Sequence, residues 1–219
     1  MDCAVGKDGA GIAGLWYLEA LGVPAAAADV FSAELGNGVD LYENGVVGTV
    51  NALAAAMGVE SGHTVREASR RLLEDDVPEL EAREITHRTI VHSTADGRAV
   101  VCTDSIAFGL PEDRGRNVLC TAGHTGRSSV PYLLEILPHG FICSDGGRGK
   151  NDSGIAGLKL VEEHGLAGAV VAAQSARMGD GLSTYYDGVI SACNEGAQAL
   201  GVREGQPARE AAHLLLAAD

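Results

Sequence analysis

Residues 7–73 recur as residues 150–216. The offset is 143 throughout (150 − 7 = 143), no gap is needed, and 27 of the 67 paired positions are identical. In a chain this rich in Ala and Gly, chance would match about one position in ten. The matches include Gly11-Ile12-Ala13-Gly14-Leu15 with 154–158, Ser32-Ala33-x-x-Gly36-x-Gly38 with 175–181, Tyr42-x-x-Gly45-Val46 with 185–189, Asn51 with Asn194, Gly58-Val59-x-x-Gly62 with 201–205, and Arg66-Glu67-Ala68 with 209–211. Such a pattern points to an internal duplication. Most of the shared residues are Gly, Ala and aliphatics, so what the copies kept is first of all a way of packing.

The two copies begin differently. The second is preceded by Ile85–Gly149, which reads as further strands and a helix. The first is preceded by six residues, and the strand expected to end at Cys143-Ser144-Asp145 has only the stub Asp2–Val5 as its counterpart. An incomplete unit leaves a sheet edge open unless something covers it. That predicts pairing with the other copy or with another subunit, and hence a homo-oligomer. The division expected is 1–78 for the incomplete repeat and 79–219 for the complete one, or one merged globular domain.

Hydrophobic spacing predicts helices over Ala10–Leu21, Glu43–Met57 and Thr64–Leu73. In the last of these, Thr64 followed by Glu67 forms a capping box. A strand is expected over Ala25–Phe31, a Gly-rich loop over Ser32–Tyr42 and a linker over Glu74–Pro78. Ile85–His92 and Arg98–Asp104 flank Ala95-Asp96-Gly97, a hairpin signal. Then come a strand (Asn117–Ala122), a helix (Ser128–Leu137), a strand (Gly140–Ser144), a helix (Ser153–His164) and a strand (Ala167–Gln174). A loop (Ser175–Thr184) and two helices (Asp187–Leu200, Pro207–Ala218) follow. This is an α/β fold: a mostly parallel sheet with helices on its faces and an antiparallel hairpin at one edge.

Composition narrows the function classes. The net charge is −14, whereas neutralising nucleic-acid phosphates needs a basic face. No apolar run reaches the roughly 18 residues of a membrane span, and the N-terminus lacks a signal-peptide pattern. Five cysteines, an odd number without a C-x-x-C pair, suit buried free thiols in a reducing compartment. A cytoplasmic protein is expected.

In open α/β sheets, ligands bind beyond the carboxyl ends of the strands. Three Gly-rich loops should leave strands at that end: Gly123-His124-Thr125-Gly126-Arg127, Ser144–Asp152 and Ser175–Gly181. Glycine permits close backbone approach, so the three together suggest a cradle for a small anionic molecule. His124 is the candidate acid–base group, with Asp145, Lys150 and Asp180 as catalytic partners. Gly123, Gly126, Arg127, Ser128, Gly146, Gly147, Ser175 and Gly179 are the expected substrate contacts. No spaced motif defines a metal site, but Asp145, Asp152 and Asp180 are hard oxygen ligands that would suit Mg²⁺ or Mn²⁺. Gly9–Gly14 matches G-x-G-x-x-G by pattern only, because Asp152 replaces the first Gly in the second copy. The sequence thus leads to an enzyme of hydrolase or lyase type acting on a small anionic metabolite. The alternative is a non-catalytic ligand-binding or oligomeric assembly protein.

Overall fold

A computed structural model describes residues 1–74, 76 and 87–218. The end of the expected linker and the start of the expected hairpin, including Ile85, lie outside the described residues. Lys7–Ile12 forms a 3-10 turn that enters α1 (Ala13–Ala20), followed by β1 (Ala26–Ala28), α2 (Gly38–Asn44), β2 (Val47–Val50), α3 (Ala52–Ala56) and α4 (Val65–Leu72). Then come β3 (Arg88–Ser93), β4 (Ala99–Thr103), β5 (Val118–His124), α5 (Val130–Ile136) and β6 (Gly140–Ser144). A second 3-10 turn, Lys150–Ile155, enters α6 (Ala156–Glu162). After it come β7 (Gly168–Val171), α7 (Gly181–Asp187), β8 (Ile190–Cys193), α8 (Glu195–Ala199) and α9 (Ala208–Leu216).

Two expected helices are not single helices. Glu43–Met57 contains β2, and Asp187–Leu200 contains β8. Gly45 and Gly188 turn extended and end α2 and α7. The β-branched residues at 46–50 then favour a strand over a continued helix. Asn51 and Asn194 restart the helix as N-caps, accepting from the Ala54 and Ala197 N–H groups. The capping box at Thr64 and Glu67 forms as the sequence predicts.

The buried Asn194 does more than cap. Its Oδ1 also accepts from the Gly168 N–H at 3.0 Å, and its Nδ2 donates to the Leu166 and Leu158 carbonyls at 2.9 and 3.3 Å. Asn51 makes the same four bonds 143 residues earlier, to Ala54, Ala25, Val23 and Leu15. One amide thus ties a helix, a strand entry and a helix start together in each half.

The main sheet has the order β3-β4-β5-β6-β7-β8. Its four inner strands are parallel, and β3 and β8 are antiparallel edges. The Ala95–Gly97 turn joins β3 to β4 as a hairpin. The first half does not extend this sheet: β1 and β2 form a separate antiparallel pair. Strand alternation divides the core. Val101, Leu119, Phe141, Cys143 and Val170 pack under α5 and α6, at Leu133, Ile136, Leu158 and Val161. Val100, Cys120, Ile142 and Val171 pack on the other face against Tyr185 of α7 and Ala211 and Leu215 of α9. Successive crossovers to adjacent parallel strands put α5 and α6 on one face when they share a hand. All five cysteines are free thiols, and no helix among the described residues is long and apolar enough to cross a membrane.

Asn194→Ala should lower unfolding free energy by about 3 kcal/mol, because four buried partners lose their bonds at once. Urea unfolding followed by far-UV circular dichroism checks this, with Asn51→Ala giving a loss of similar size.

Candidate functional site

The expected cradle lies where β5, β6 and β7 end, and most of that place is filled by the first half. Asp145 is buried at the end of β6. Its Oδ1 accepts from the Gly147 and Ala173 N–H groups, both at 2.9 Å, and its Oδ2 from the Ser191 hydroxyl at 2.9 Å. Held this way, the chain runs left-handed through Gly146, Gly147, Arg148 and Gly149, with φ from 62° to 77°. Lys150 then donates its N–H to the Val30 carbonyl at 3.1 Å.

The first half repeats the arrangement. Asp2 Oδ1 accepts from Ala4 and Val30, Cys3 to Gly6 run left-handed with φ from 48° to 68°, and the Lys7 N–H reaches the Ala173 carbonyl at 2.8 Å. Each half therefore donates to the other at equivalent positions (Val30 + 143 = Ala173). A Cβ on Gly147 would press on Cys3 and Ala4, and one on Gly146 would press on Leu35. Leu35 donates its N–H to Ser153 Oγ at 2.8 Å.

Of the four expected catalytic residues, His124 alone lines the two cavities described below, and the side chains of the other three have partners of their own. Asp145 has both carboxylate oxygens committed to the turn and to Ser191. Lys150 Nζ pairs with Asp40 at 3.3 Å, as Lys7 Nζ pairs with Asp187 at 2.9 Å. Asp180 caps α7 through Ser183 at 2.9 Å and pairs with Arg177 at 3.0 Å. Burial alone would raise the Asp180 carboxyl, but the Ser183 N–H and Arg177 outweigh it and hold it below the ordinary carboxylate range. Ser175 Oγ bridges the Ala172 carbonyl and the Val189 N–H, and Gly179 supplies a left-handed turn with φ 81° before the cap. Asp152, the third carboxylate considered for Mg²⁺ or Mn²⁺, is exposed and pairs with Arg148. Among the described residues no three metal-ligating side chains are grouped.

His124 is different. It is half-buried at the end of β5 and borders two cavities. One, of about 340 Å³, lies against the first half at Cys3, Leu35, Gly36, Asn37 and Leu41. The other, of about 220 Å³, is lined by Ser105, Ile106, Ala107, Gly123, His124, Ser128, Ser129 and Tyr132. Gly123, His124 and Ser128 come from the loop that the sequence singled out; Arg127 is exposed in the same loop, and Gly126 is buried beneath it. Ser105 and Tyr132 were missed. Ser105 follows the end of β4, so the strand-end rule could have found it; Tyr132, in the first turn of α5, carries no comparable signal.

The Gly126 N–H donates to His124 Nδ1 at 3.0 Å. Nδ1 is thus the acceptor, and the neutral ring carries its proton on Nε2. Burial pushes the imidazole down to about 4, so near neutral pH the ring is an uncharged donor. With Nε2 protonated it has no lone pair there to take a substrate proton. Comparison with known proteins finds no matching family model, no similar curated protein and no similar solved structure.

The depressed His124 value sets a pH dependence. The unfolded chain binds a proton at about 6.5 and the folded chain only near 4, so stability falls as pH drops through that window. Thermal unfolding between pH 7 and 4 should show this loss, and His124→Gln should flatten it. Val5 sits left-handed at φ 65° and is exposed, a conformation that strains a β-branched residue. Val5→Gly should therefore stabilise by about 1 kcal/mol, read as a rise in melting temperature.

Proposed function

We propose that this chain binds a small anionic molecule in the cavity between the ends of β4 and β5, with His124 as an uncharged hydrogen-bond donor. The carrying observation is the Gly126–Nδ1 bond, which leaves the neutral ring's proton on Nε2 in a residue that lines this cavity. Ser105, Ser128, Ser129 and Tyr132 line the same space. Hydroxyl and imidazole N–H groups can together satisfy a carboxylate or phosphate, and the exposed Arg127 lies in the same loop. The volume, about 220 Å³, suits a metabolite of a few heavy atoms.

This reading favours binding over acid–base turnover. Asp145, Lys150 and Asp180 are occupied by structural partners, so a hydrolase or lyase here would have to work through His124 and the hydroxyls alone. We further infer that the two halves are copies of one duplicated unit. The support is the constant offset of 143 between α1 and α6, α2 and α7, β2 and β8, α3 and α8, and α4 and α9, together with the matching Asn51 and Asn194 bonds.

A thermal-shift screen of small carboxylates and phosphates tests the binding reading. A ligand should raise the melting temperature in a saturable way, and His124→Ala and Tyr132→Phe should each weaken it by roughly tenfold, the worth of one hydrogen bond to a charged group. Stabilisation that survives both variants would sink the proposal. Release of product from the same ligand by the wild type, lost in His124→Ala, would establish the enzyme reading instead.

A further inference from the structure

The space at His124 continues beyond the strand ends. Two chain segments form its sides: residues 105–111, which leave β4 through a 3-10 turn (Ile106–Phe108), and residues 128–136, which lead into and along α5. The His124 cavity takes Ser105 and Ala107 from one side and Ser128 and Tyr132 from the other. A second cavity, of about 370 Å³, takes up at Ala107 and Tyr132 and ends at Pro111 and Ile136. The two share Ala107 and Tyr132, and both sides advance through them in the same order, so they are parts of one groove. Ile106 packs beneath it with Leu133 and Ile136 of α5. Gly109 lets the segment lie close against the helix, because a Cβ there would come within 2.3 Å of Ile136 Cδ1. At 1.5 Å per helical residue, Ser129 to Ile136 spans roughly 10 Å.

The groove changes character along its length. The His124 end offers hydroxyls and an imidazole N–H. Ser105 Oγ accepts from the Ala107 N–H at 3.3 Å, which leaves its own O–H to donate. At the far end the backbone has no donor to give. The Gly109 N–H bonds the Ile106 carbonyl at 3.0 Å, the Leu110 N–H bonds Asp113 Oδ2 at 2.8 Å, and Pro111 has no N–H. Leu110, Pro111 and Tyr132 are exposed along this stretch. Arg114 and Glu135 stand there as opposite charges, and the Arg114 guanidinium donates to the Glu135 carbonyl. A hydroxyl or amide placed among Gly109, Leu110 and Pro111 would give up water without a donor to replace it. That weighs against a sugar or a peptide and for a hydrocarbon chain. The net charge of −14 favours a monoanion over a dianion.

We propose that the ligand is an amphiphilic monocarboxylate. Its carboxylate lies with His124 and Ser105, and its unbranched alkyl tail runs past Ala107 and Tyr132 to Leu110 and Ile136. The inference rests on the anion-binding reading of the His124 cavity and adds the class of molecule that the cavity takes.

The test is a series of straight-chain acids from acetate to decanoate, each below its micellar concentration. They are titrated into the full chain and followed by the amide signals of Ala107, Gly109 and Gly123. Binding should tighten roughly two- to fourfold with each methylene that enters the groove. The gain should level off near octanoate, where the tail outruns Ile136. Leu110→Asp should flatten the series and leave acetate unchanged, because only the tail reaches that position, whereas His124→Ala should weaken every acid alike. A flat series with His124-dependent binding of acetate overturns the tail and leaves the anion site standing, and a gain that survives Leu110→Asp overturns the tail as well. Absence of saturable binding by any acid, or binding that His124→Ala leaves unchanged, overturns both readings. Loss of octanoate binding in Arg114→Gln would put the carboxylate at the far end and overturn the arrangement proposed.

Discussion

A buried aspartate at the head of each half organises the molecule. Asp145 stands at the end of β6, where its carboxylate meets backbone N–H groups from its own turn and from the end of β7, and the hydroxyl of Ser191 on β8. Donors to a buried carboxylate replace the hydrogen bonds to water that it has lost. Its bonds force the chain through a left-handed run and deliver the Lys150 N–H to Val30. Asp2 does the same in the first half and delivers Lys7 to Ala173. The seam between the halves follows from those two turns.

That seam also decides where a ligand can go. One of the two turns that dock the halves, 145–150, belongs to a Gly-rich loop that looked available for binding. Glycine serves there to admit the other half's backbone: Gly147 faces Cys3 and Ala4. Strand order contributes as well. The parallel strands follow one another as β4-β5-β6-β7, so the order never reverses, and no crevice opens where neighbouring crossovers diverge. The first loop, at His124, has two cavities beside it. There the backbone has already taken Nδ1, and burial has removed the ring's charge at neutral pH.

Much of the architecture was legible. The hairpin turn at Ala95–Gly97, the β6 strand at Gly140–Ser144 and the Thr64 capping box came out where local chemistry put them, because each rests on contacts within a few residues. The short strands β2 and β8 were hidden. Four residues flanked by helices carry an apolar periodicity that a helix also satisfies, and what separates them is the bonding of Asn51 and Asn194 to segments far away in sequence. The candidate site was legible only as a loop. His124, Gly123 and Ser128 line one cavity, but residue type could not reveal that Lys150 would be spent on Asp40 or Asp180 on Arg177.

By itself the sequence determined the α/β class, the recurrence at 143 residues, the acidic surface and the local signals that start and stop most elements, since all of these are written in composition and short-range spacing. Only the tertiary structure decided that β1 and β2 stand apart from the main sheet, that the Gly-rich loop after β6 becomes part of a seam, and that His124 is a neutral donor. Those outcomes depend on which surfaces meet. Burial, a committed lone pair and a Cβ-free contact are properties of neighbours distant in the chain, and a pattern within one segment holds no record of them.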